Sequence, residues 1–376
     1  MHCSHRPPCP GCPRFGVAGI APAAGDALGS LARKHGLPAV PIISGPATGF
    51  RHRARLAIRG RLGSPKIGMF ELGTHHVVHI PSCCVHHPVV NDVAGIVRRA
   101  LVDRRVSSYS EGTHHGLARY LQVVVERRSE TVQVVLVGNC PNAEPLAPCL
   151  DLIQERLGTS LHSLWFNGNT GSTNTILGPT FQRWSGPDSV VEHFGGAGVH
   201  YPPGAFGQSN LDVAQDIIEH VRREIPAGAR VMEFYAGVGA IGLSILEAAS
   251  VLKLNEIAAQ SLQGLALGVA GLDATQRDKV SVIPGAAAAE GSLAAAADAD
   301  VIIADPPRKG LDRELLDHLR DRPPKRLLYI SCGLASFLED TEQLLAGGKL
   351  RLTSLTAFNL LPYTEHVEML ARFEHA

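Results

Sequence analysis

Residues 231–245 read VMEFYAGVGAIGLSI: an apolar run holding one acid, then glycines at 237, 239 and 242 that lead into a helical pattern. Glycines placed directly after a strand let the chain turn tightly and let a ligand approach the backbone, and open α/β sheets bind ligands beyond the carboxyl ends of their strands. The next apolar run, SVLKLNE, ends in Glu256, 23 residues after Glu233, the separation at which an acidic side chain bonds ribose hydroxyls. This is the signature of a nucleoside-cofactor site, shared by NAD and S-adenosylmethionine. A tight strand-to-helix turn without a ligand is the plainer reading of the glycines alone.

Outward from this stretch the texture differs on the two sides. Downstream, the runs DVIIADPP (300–307), KRLLYISCG (325–333) and VEMLARFE (367–374) have the composition of strands buried on both faces, and LASFLEDTEQLL (334–345) has helical spacing. Alternation of such segments predicts an α/β, doubly wound, largely parallel sheet. Upstream, FRHRARLAIRG (50–60), KIGMFEL (66–72), HHVVHI (75–80), YLQVVVER (120–127) and TVQVVLVGN (131–139) are short alternating segments bounded by Gly, Ser, Asn and Pro. They predict antiparallel strands. The Gly/Pro-rich FGGAGVHYPPGAFGQSN (194–210) separates the halves. At 376 residues the chain exceeds what one core usually serves, so two domains are expected, a β-rich one over 1–205 and an α/β one over 206–376.

Composition narrows the class. With 45% hydrophobic and 19% charged residues this is an ordinary globular chain. No apolar run is long enough to span a bilayer or to resemble a signal peptide, so a cytoplasmic protein with reduced thiols and no membrane association is expected. The net charge of +0 conceals an asymmetry: residues 1–205 hold 19 Lys+Arg against 12 Asp+Glu, about +7, and the remainder 16 against 23, about −7. That predicts an anionic partner for the first half, with Arg51, Arg53, Arg55, Arg59 and Arg61 its densest basic segment, against the plainer alternative of a solvated strand face.

Three further signals carry chemistry. In DPP, two prolines force a rigid, non-helical exit from a strand and hold Asp305 at the carboxyl edge of the sheet. In RLLYISCG (326–333), Cys332 ends the next strand and emerges at that same edge, although a free cysteine is more often a small buried hydrophobe. In LLPYTEHVEML (360–370), alternation puts His366 and Glu368 on one side, with Val367 and Met369 packed inside. Separately, Cys3, Cys9 and Cys12 are spaced to bring three thiolates together, and a fourth ligand from Cys83 or Cys84 would complete a zinc site or an iron-sulfur cluster. Cys140 and Cys149 lack such partners and read as packing residues.

Taken in order, GQSN, EFYAGVGAIGL, DPPRKGLD, YISCG and PYTEHVE resemble the S-adenosylmethionine-dependent RNA uridine-5-methyltransferases of the TrmA/RlmC/RlmD type, over nearly the whole chain. The resemblance implies a class I, Rossmann-like methyltransferase domain preceded by an α+β RNA-binding domain with an N-terminal cysteine cluster. It implies that Cys332 is the nucleophile, that Glu368 is the general base, and that Gln208, Tyr235, Gly237, Gly239, Glu256 and Asp305 bind the cofactor or nucleoside. It favours a [4Fe-4S] cluster on Cys3, Cys9, Cys12 and Cys83 over zinc. The chain is similar to the short ribosomal-RNA branch, because no small β-barrel module precedes the cysteines. Ribosomal RNA is therefore the expected substrate ahead of transfer RNA, with no obligate protein partner. Departures from the family pattern are Gly333 for Asn after the nucleophile, Asn359 and Leu361 near the base, and Ala286 in place of a polar contact. An NAD-dependent oxidoreductase would leave DPPRKG, Cys332 and Glu368 without a role; a non-catalytic RNA-binding protein would show no methylation.

Overall fold

A computed structural model of the chain describes residues 2–376. These residues form two compact units that interleave in sequence. The first comprises the stretch up to Pro13, Pro46–Val191 and Pro202–Leu211; the second comprises Arg14–Gly45, Glu192–Tyr201 and Asp212–Ala376. This division differs from a single boundary at 205/206. Local texture does not reveal that residues 14–45 supply a helix and an edge strand to the sheet built from the C-terminal half.

The first unit is built on a seven-stranded sheet in the order Val77–His79, Ser64–Phe70, Arg53–Arg61, Ala118–Val125, Val132–Gly138, Leu161–Gly168, Thr180–Ser185. All neighbours are antiparallel except Val132–Gly138 and Leu161–Gly168, which run parallel. A parallel pair requires a crossover, and the helix Ala147–Leu157 lies between these two strands in sequence. One sheet face presents Leu56, Ile58, Leu121, Val123, Val134, Leu136, Leu164 and Phe166 to a core shared with the helices Pro88–Asp103 and Ala147–Leu157. In the first of these helices Val90, Val93, Val97 and Leu101 recur at three- and four-residue spacing, which turns one apolar stripe toward the sheet, and Pro88 opens the helix where a missing N–H costs nothing. Cys140 and Cys149 are buried in this core, as packing residues.

The basic segment is only partly a charged surface. Along Arg53–Arg61, Leu56 and Ile58 turn to the core, whereas Arg53 and Arg59 are buried among other groups. Arg53 donates to the carbonyl of Ala205, and Arg59 pairs with Glu111 and lies 4.9–5.2 Å from the rings of Tyr120, Tyr109 and Phe70. Arg55 and Arg61 are the exposed members.

The second unit carries an eight-stranded sheet in the order Ile42–Ser44, Leu350–Asn359, Glu368–His375, Arg326–Ser331, Val301–Ala304, Ala229–Phe234, Ala249–Glu256, Val280–Pro284. Only Glu368–His375 is antiparallel to its neighbours. The sheet is thus doubly wound and largely parallel, with one reversed strand inserted between Leu350–Asn359 and Arg326–Ser331. That reversal has a direct consequence for the site. Every parallel strand ends at one edge, and the antiparallel strand begins there, so its first residue, Glu368, is delivered to the edge where Phe234, Glu256, Ala304 and Ser331 finish. Its core gathers Ile20, Leu28 and Leu31 from the N-terminal segment with Met232, Phe234, Tyr329, Phe337, Val367 and Met369. Among the described residues no helix is long and apolar enough to cross a membrane.

Candidate active site

The glycine turn is built as its residues dictate. Tyr235, Gly237 and Gly239 all take left-handed backbone angles, with φ of 60°, 58° and 83°. A Cβ on Gly237 would meet nothing within 4 Å, so the backbone here faces open space. A Cβ on Gly242 would lie 2.4 Å from Glu233 Oε2, so this glycine lets the short helix Ala240–Ser244 settle onto the strand. Glu256 ends the adjacent strand. Its Oε2 accepts the Gly237 N–H at 2.7 Å, and its Oε1 accepts those of Ile257 and Ala258 at 2.7 and 2.6 Å. Three backbone donors hold the carboxylate at the mouth of the turn with an acceptor lone pair left on Oε2. An open, glycine-lined turn with a fixed acid at its rim fits the ribose of a nucleoside cofactor.

Tyr235 is anchored on the opposite side of the turn. Its hydroxyl donates to Asp312 Oδ2 at 3.1 Å and accepts the Asp312 N–H at 3.2 Å, tying the cofactor turn to the residues that follow DPPRKG. Burial pushes the phenol above its ordinary range, so it stays protonated.

Three strands bring Asp305, Cys332 and Glu368 to one edge. Asp305 follows Val301–Ala304, Cys332 follows Arg326–Ser331, and Glu368 opens Glu368–His375, where Ser331 pairs with Met369. Glu368 is 4% exposed, and its carboxyl is raised well above the usual carboxylate range by burial and then by the charge of Asp305. Desolvation pushes Asp305 up to about 6. Two acids sharing a dry site oppose each other's ionisation. Burial, then Glu368 and Asp305, push the Cys332 thiol up to about 11, opposed by the positive charge of Arg308. Glu233, fully buried below the glycine turn, is also raised by burial and by Asp305.

The sequence reading passed over Arg308 although it lies within the quoted DPPRKG. It is the cation that acts on both Cys332 and Glu368, lowering each, and its Nη2 donates to His366 Nε2 at 3.1 Å. Its backbone is clamped to the helix that follows Cys332, Leu334–Ala346. Ser336 Oγ donates to the Arg308 carbonyl at 2.9 Å, and Asp340 Oδ2 accepts the Leu311 N–H at 3.0 Å as well as the Tyr329 hydroxyl. Gly333, a departure from the expected pattern, has a steric reason: a Cβ there would stand 2.5 Å from the Arg308 carbonyl and 2.6 Å from Ser336 Oγ. No local pattern announces these contacts, because they join segments about 25 residues apart that meet only when two parallel strands pair.

Gln208 lies in the Pro202–Leu211 segment of the first unit, half-buried. Tyr235, Gly237, Gly239, Glu256, Asp305, Cys332 and Glu368 all belong to the second.

In the first unit, Cys3, Cys9, Cys12, Cys83 and Cys84 line one cavity of about 100 Å³ together with Arg51 and His86. Burial and then the neighbouring Cys83, Cys84 and Cys9 push the Cys12 thiol up to about 12. Among the described residues no three His, Cys, Asp or Glu side chains converge tightly enough to hold a single metal ion. Sulfur nonetheless predominates among the donors, with both Cys83 and Cys84 in the cavity wall beside His5 and His86.

Comparison with known proteins bears on this geometry. The family model for tRNA (uracil-5-)-methyltransferases matches residues 197–373. An RNA methyltransferase of Protochlamydia amoebophila, itself uncharacterised, is 36% identical over 341 residues, covering 89% of this chain and 88% of that protein. A second, from Gloeobacter violaceus, is 27% identical over 346 residues, covering 90% and 73%. Among solved structures, the Pyrococcus abyssi tRNA (uracil-54, C5)-methyltransferase in complex with S-adenosyl-L-homocysteine shares the fold, with a TM-score of 0.76 and 22% identity over 92% of this chain and 81% of that one. The chain belongs to the RNA uracil-5-methyltransferase family, and S-adenosylmethionine is its methyl donor.

Proposed function

We propose that the protein methylates C5 of a specific uridine in large-subunit ribosomal RNA, in the cytoplasm, with Cys332 as nucleophile and Glu368 as base. The observation that carries this reading is the delivery of Cys332, Asp305 and Glu368 from three strands to one edge of the sheet, beside the glycine turn.

The chemistry accounts for the residue types. Uracil C5 is too electron-poor to take a methyl group unaided. The Cys332 thiolate adds to C6, its electron pair forming the C6–S bond while the C5=C6 π pair shifts toward the C4 carbonyl, which leaves an enolate nucleophilic at C5. S-adenosylmethionine, held by the glycine turn and Glu256, supplies an electrophilic methyl group. C5 takes the methyl as its bond to the donor sulfur breaks and S-adenosylhomocysteine is released, and C5 then carries both methyl and hydrogen. Glu368 removes that proton, the C5=C6 bond re-forms, and the C6–S bond breaks to release the thiolate. Because the thiol lies near 11, the addition step needs the charge of Arg308 and a proton acceptor, and the adjacent carboxylates provide one. A target uridine inside a duplex must be flipped out to reach these groups.

A [4Fe-4S] cluster on Cys3, Cys9, Cys12 and Cys83 is part of the same proposal. The gathering of five cysteines in one cavity wall supports it, and thiolates at the corners of a polynuclear cluster stand farther apart than the four around one zinc ion. Purification without oxygen, followed by metal and sulfide analysis, separates a cluster from zinc. Visible charge-transfer absorption with iron and sulfide supports the cluster, and zinc alone refutes it.

The test of the reaction is transfer of labelled methyl from S-adenosylmethionine into unmodified ribosomal and transfer RNA, with identification of the product base. Formation of 5-methyluridine in ribosomal RNA, absent with Cys332→Ala, is expected. Incorporation only into transfer RNA refutes the substrate, and incorporation that survives Cys332→Ala refutes the nucleophile.

A further inference from the structure

Residues 14–20 follow the last N-terminal cysteine, and nothing in their sequence suggests a role in the reaction. In the second unit they brace the loop that leads to Glu368. The Arg14 N–H donates to the Tyr363 carbonyl at 2.9 Å. Its guanidinium then spans the loop from below: Nη1 donates to Thr364 O at 3.3 Å and Gly19 O at 3.4 Å, Nη2 donates to Ile20 O at 3.0 Å, and Nε lies 3.8 Å from Glu365 Oε1. The Arg14 side chain is only 10% exposed, so its bonds to the backbone carbonyls are shielded, whereas the Glu365 carboxylate is open to solvent. The neighbouring Phe15 ring packs on Tyr363, centroids 5.0 Å apart.

The loop needs such a brace. Tyr363 is held at φ 67°, a left-handed conformation that a residue with a side chain rarely adopts unless its surroundings impose it. An inner turn exists, in which Thr364 Oγ1 donates to Leu361 O at 2.7 Å and accepts the His366 N–H at 3.2 Å. Tyr363 is the third residue of that turn, which the Thr364 N–H closes on Leu361 O at 3.3 Å, and Arg14 and Phe15 engage it from outside. Further along the same segment, Ile20, Ala21 and Ala24 share the core that holds Val367 and Met369, the residues flanking Glu368. The strap is thus fixed at one end against the Tyr363–Glu365 turn and at the other in the core of the second unit.

We infer that Arg14, with Phe15, is a positioning residue for proton abstraction: it holds the Tyr363–Glu365 turn so that Glu368 enters its strand with the carboxylate directed at the edge beside Cys332. This rests on the reading of Glu368 as the base. The consequence is selective for one step. Addition of Cys332 and methyl transfer do not depend on the strap, whereas resolution of the methylated adduct does.

The test uses full-length protein and an in vitro transcript of ribosomal or transfer RNA, whichever accepts methyl. With Arg14→Ala, turnover falls by about 10²-fold, the size of effect expected when a reacting group is displaced by about 1 Å. A protein–RNA adduct stable to detergent accumulates on the ordinary uridine transcript. On a 5-fluorouridine transcript, where no proton can leave C5, the same variant forms adduct at the wild-type rate. Arg14→Lys, which keeps the charge and part of the hydrogen bonding, and Phe15→Leu give intermediate accumulation and cover the case in which Arg14→Ala does not fold, as judged by S-adenosylhomocysteine binding. Glu368→Gln is the reference. If Glu368→Gln traps adduct and folded strap variants do not, the strap has no positioning role. If adduct formation on 5-fluorouridine RNA falls in parallel with turnover, its role is general stability and the inference is wrong. If Glu368→Gln itself traps nothing, the assignment of the base fails first.

Discussion

Glu368 and Asp305 both sit in environments unlike that of an ordinary carboxylate, and both departures have the same sign. Burial raises both, and the charge of Asp305 adds to the rise of Glu368, so the ionised form of Glu368 that the proposed mechanism requires is present only above the usual carboxylate range. The pH–rate profile should therefore rise with pH through neutrality, since both the thiol and the base become competent on losing a proton. Replacing Glu368 by Gln should lower turnover by about 10²–10⁴-fold, the usual contribution of a general base, while leaving S-adenosylhomocysteine affinity within a few-fold. A profile that falls with rising pH across that range would exclude the assignment. Gly333 makes a second prediction. Its missing Cβ is what allows the Arg308 carbonyl to sit against the nucleophile turn, so Gly333→Ala must push the Arg308 loop away. The expected result is a lower kcat at unchanged cofactor affinity and slower alkylation of Cys332 by iodoacetamide at neutral pH. Alkylation at the wild-type rate would show that Arg308 does not depend on this contact.

The helix Leu334–Ala346 does more than cover the sheet. Its first turn receives the Arg308 carbonyl through Ser336, its second receives the Leu311 N–H and the Tyr329 hydroxyl through Asp340, and Phe337 stacks on Tyr329 with centroids 5.6 Å apart. The helix therefore couples the strand that carries Cys332 to the loop that carries Arg308. Phe337 is fully buried, and its replacement by Ala should cost about 3–5 kcal/mol through lost packing, measured by denaturant unfolding. Asp340→Asn keeps the volume but weakens two hydrogen bonds. It should reduce activity more than stability, because what it loosens is the loop rather than the core. Equal loss of both would assign Asp340 to the core alone. Here the sequence was partly legible: the apolar spacing of LASFLEDTEQLL announced a helix, but not that its polar positions 336 and 340 face inward at one end. Helical periodicity reports the apolar stripe, whereas inward polar groups become visible only when their partners arrive from another strand.

Across the whole molecule, the raised acids make stability depend on pH in a defined direction. The folded state holds a proton on Asp305 up to about 6, whereas the unfolded chain releases it near the ordinary value of 3.8. Between those values the folded state binds more protons, so stability is fully present below about 4 and is lost as pH rises through 6; Glu368, raised in the same sense, extends the loss further. The melting temperature of the unliganded protein should fall over that window. Asp305→Asn should flatten the slope and raise the melting temperature at pH 8 while abolishing activity. A variant with the same pH slope as the wild type would place the titration elsewhere.

The line between what was legible and what was not follows the range of the interactions. The glycine turn, the prolines after Asp305, the cysteine that ends an apolar run and the alternating VEMLARFE are all local patterns, and backbone sterics and burial periodicity act over a few residues. They sufficed for the doubly wound sheet, for the edge at which Asp305 and Cys332 emerge, and for the inward packing of Val367 and Met369. Strand order, the strand Leu350–Asn359 beside the reversed one, and the passage of residues 14–45 into the second unit were not readable, since each depends on pairing between segments far apart in the chain. The same holds for Arg308, Gly333 and Arg14. Their roles come from carbonyls and side chains that reach them only in the folded chain, and a sequence carries no local signal for a hydrogen bond whose partner lies 350 residues away.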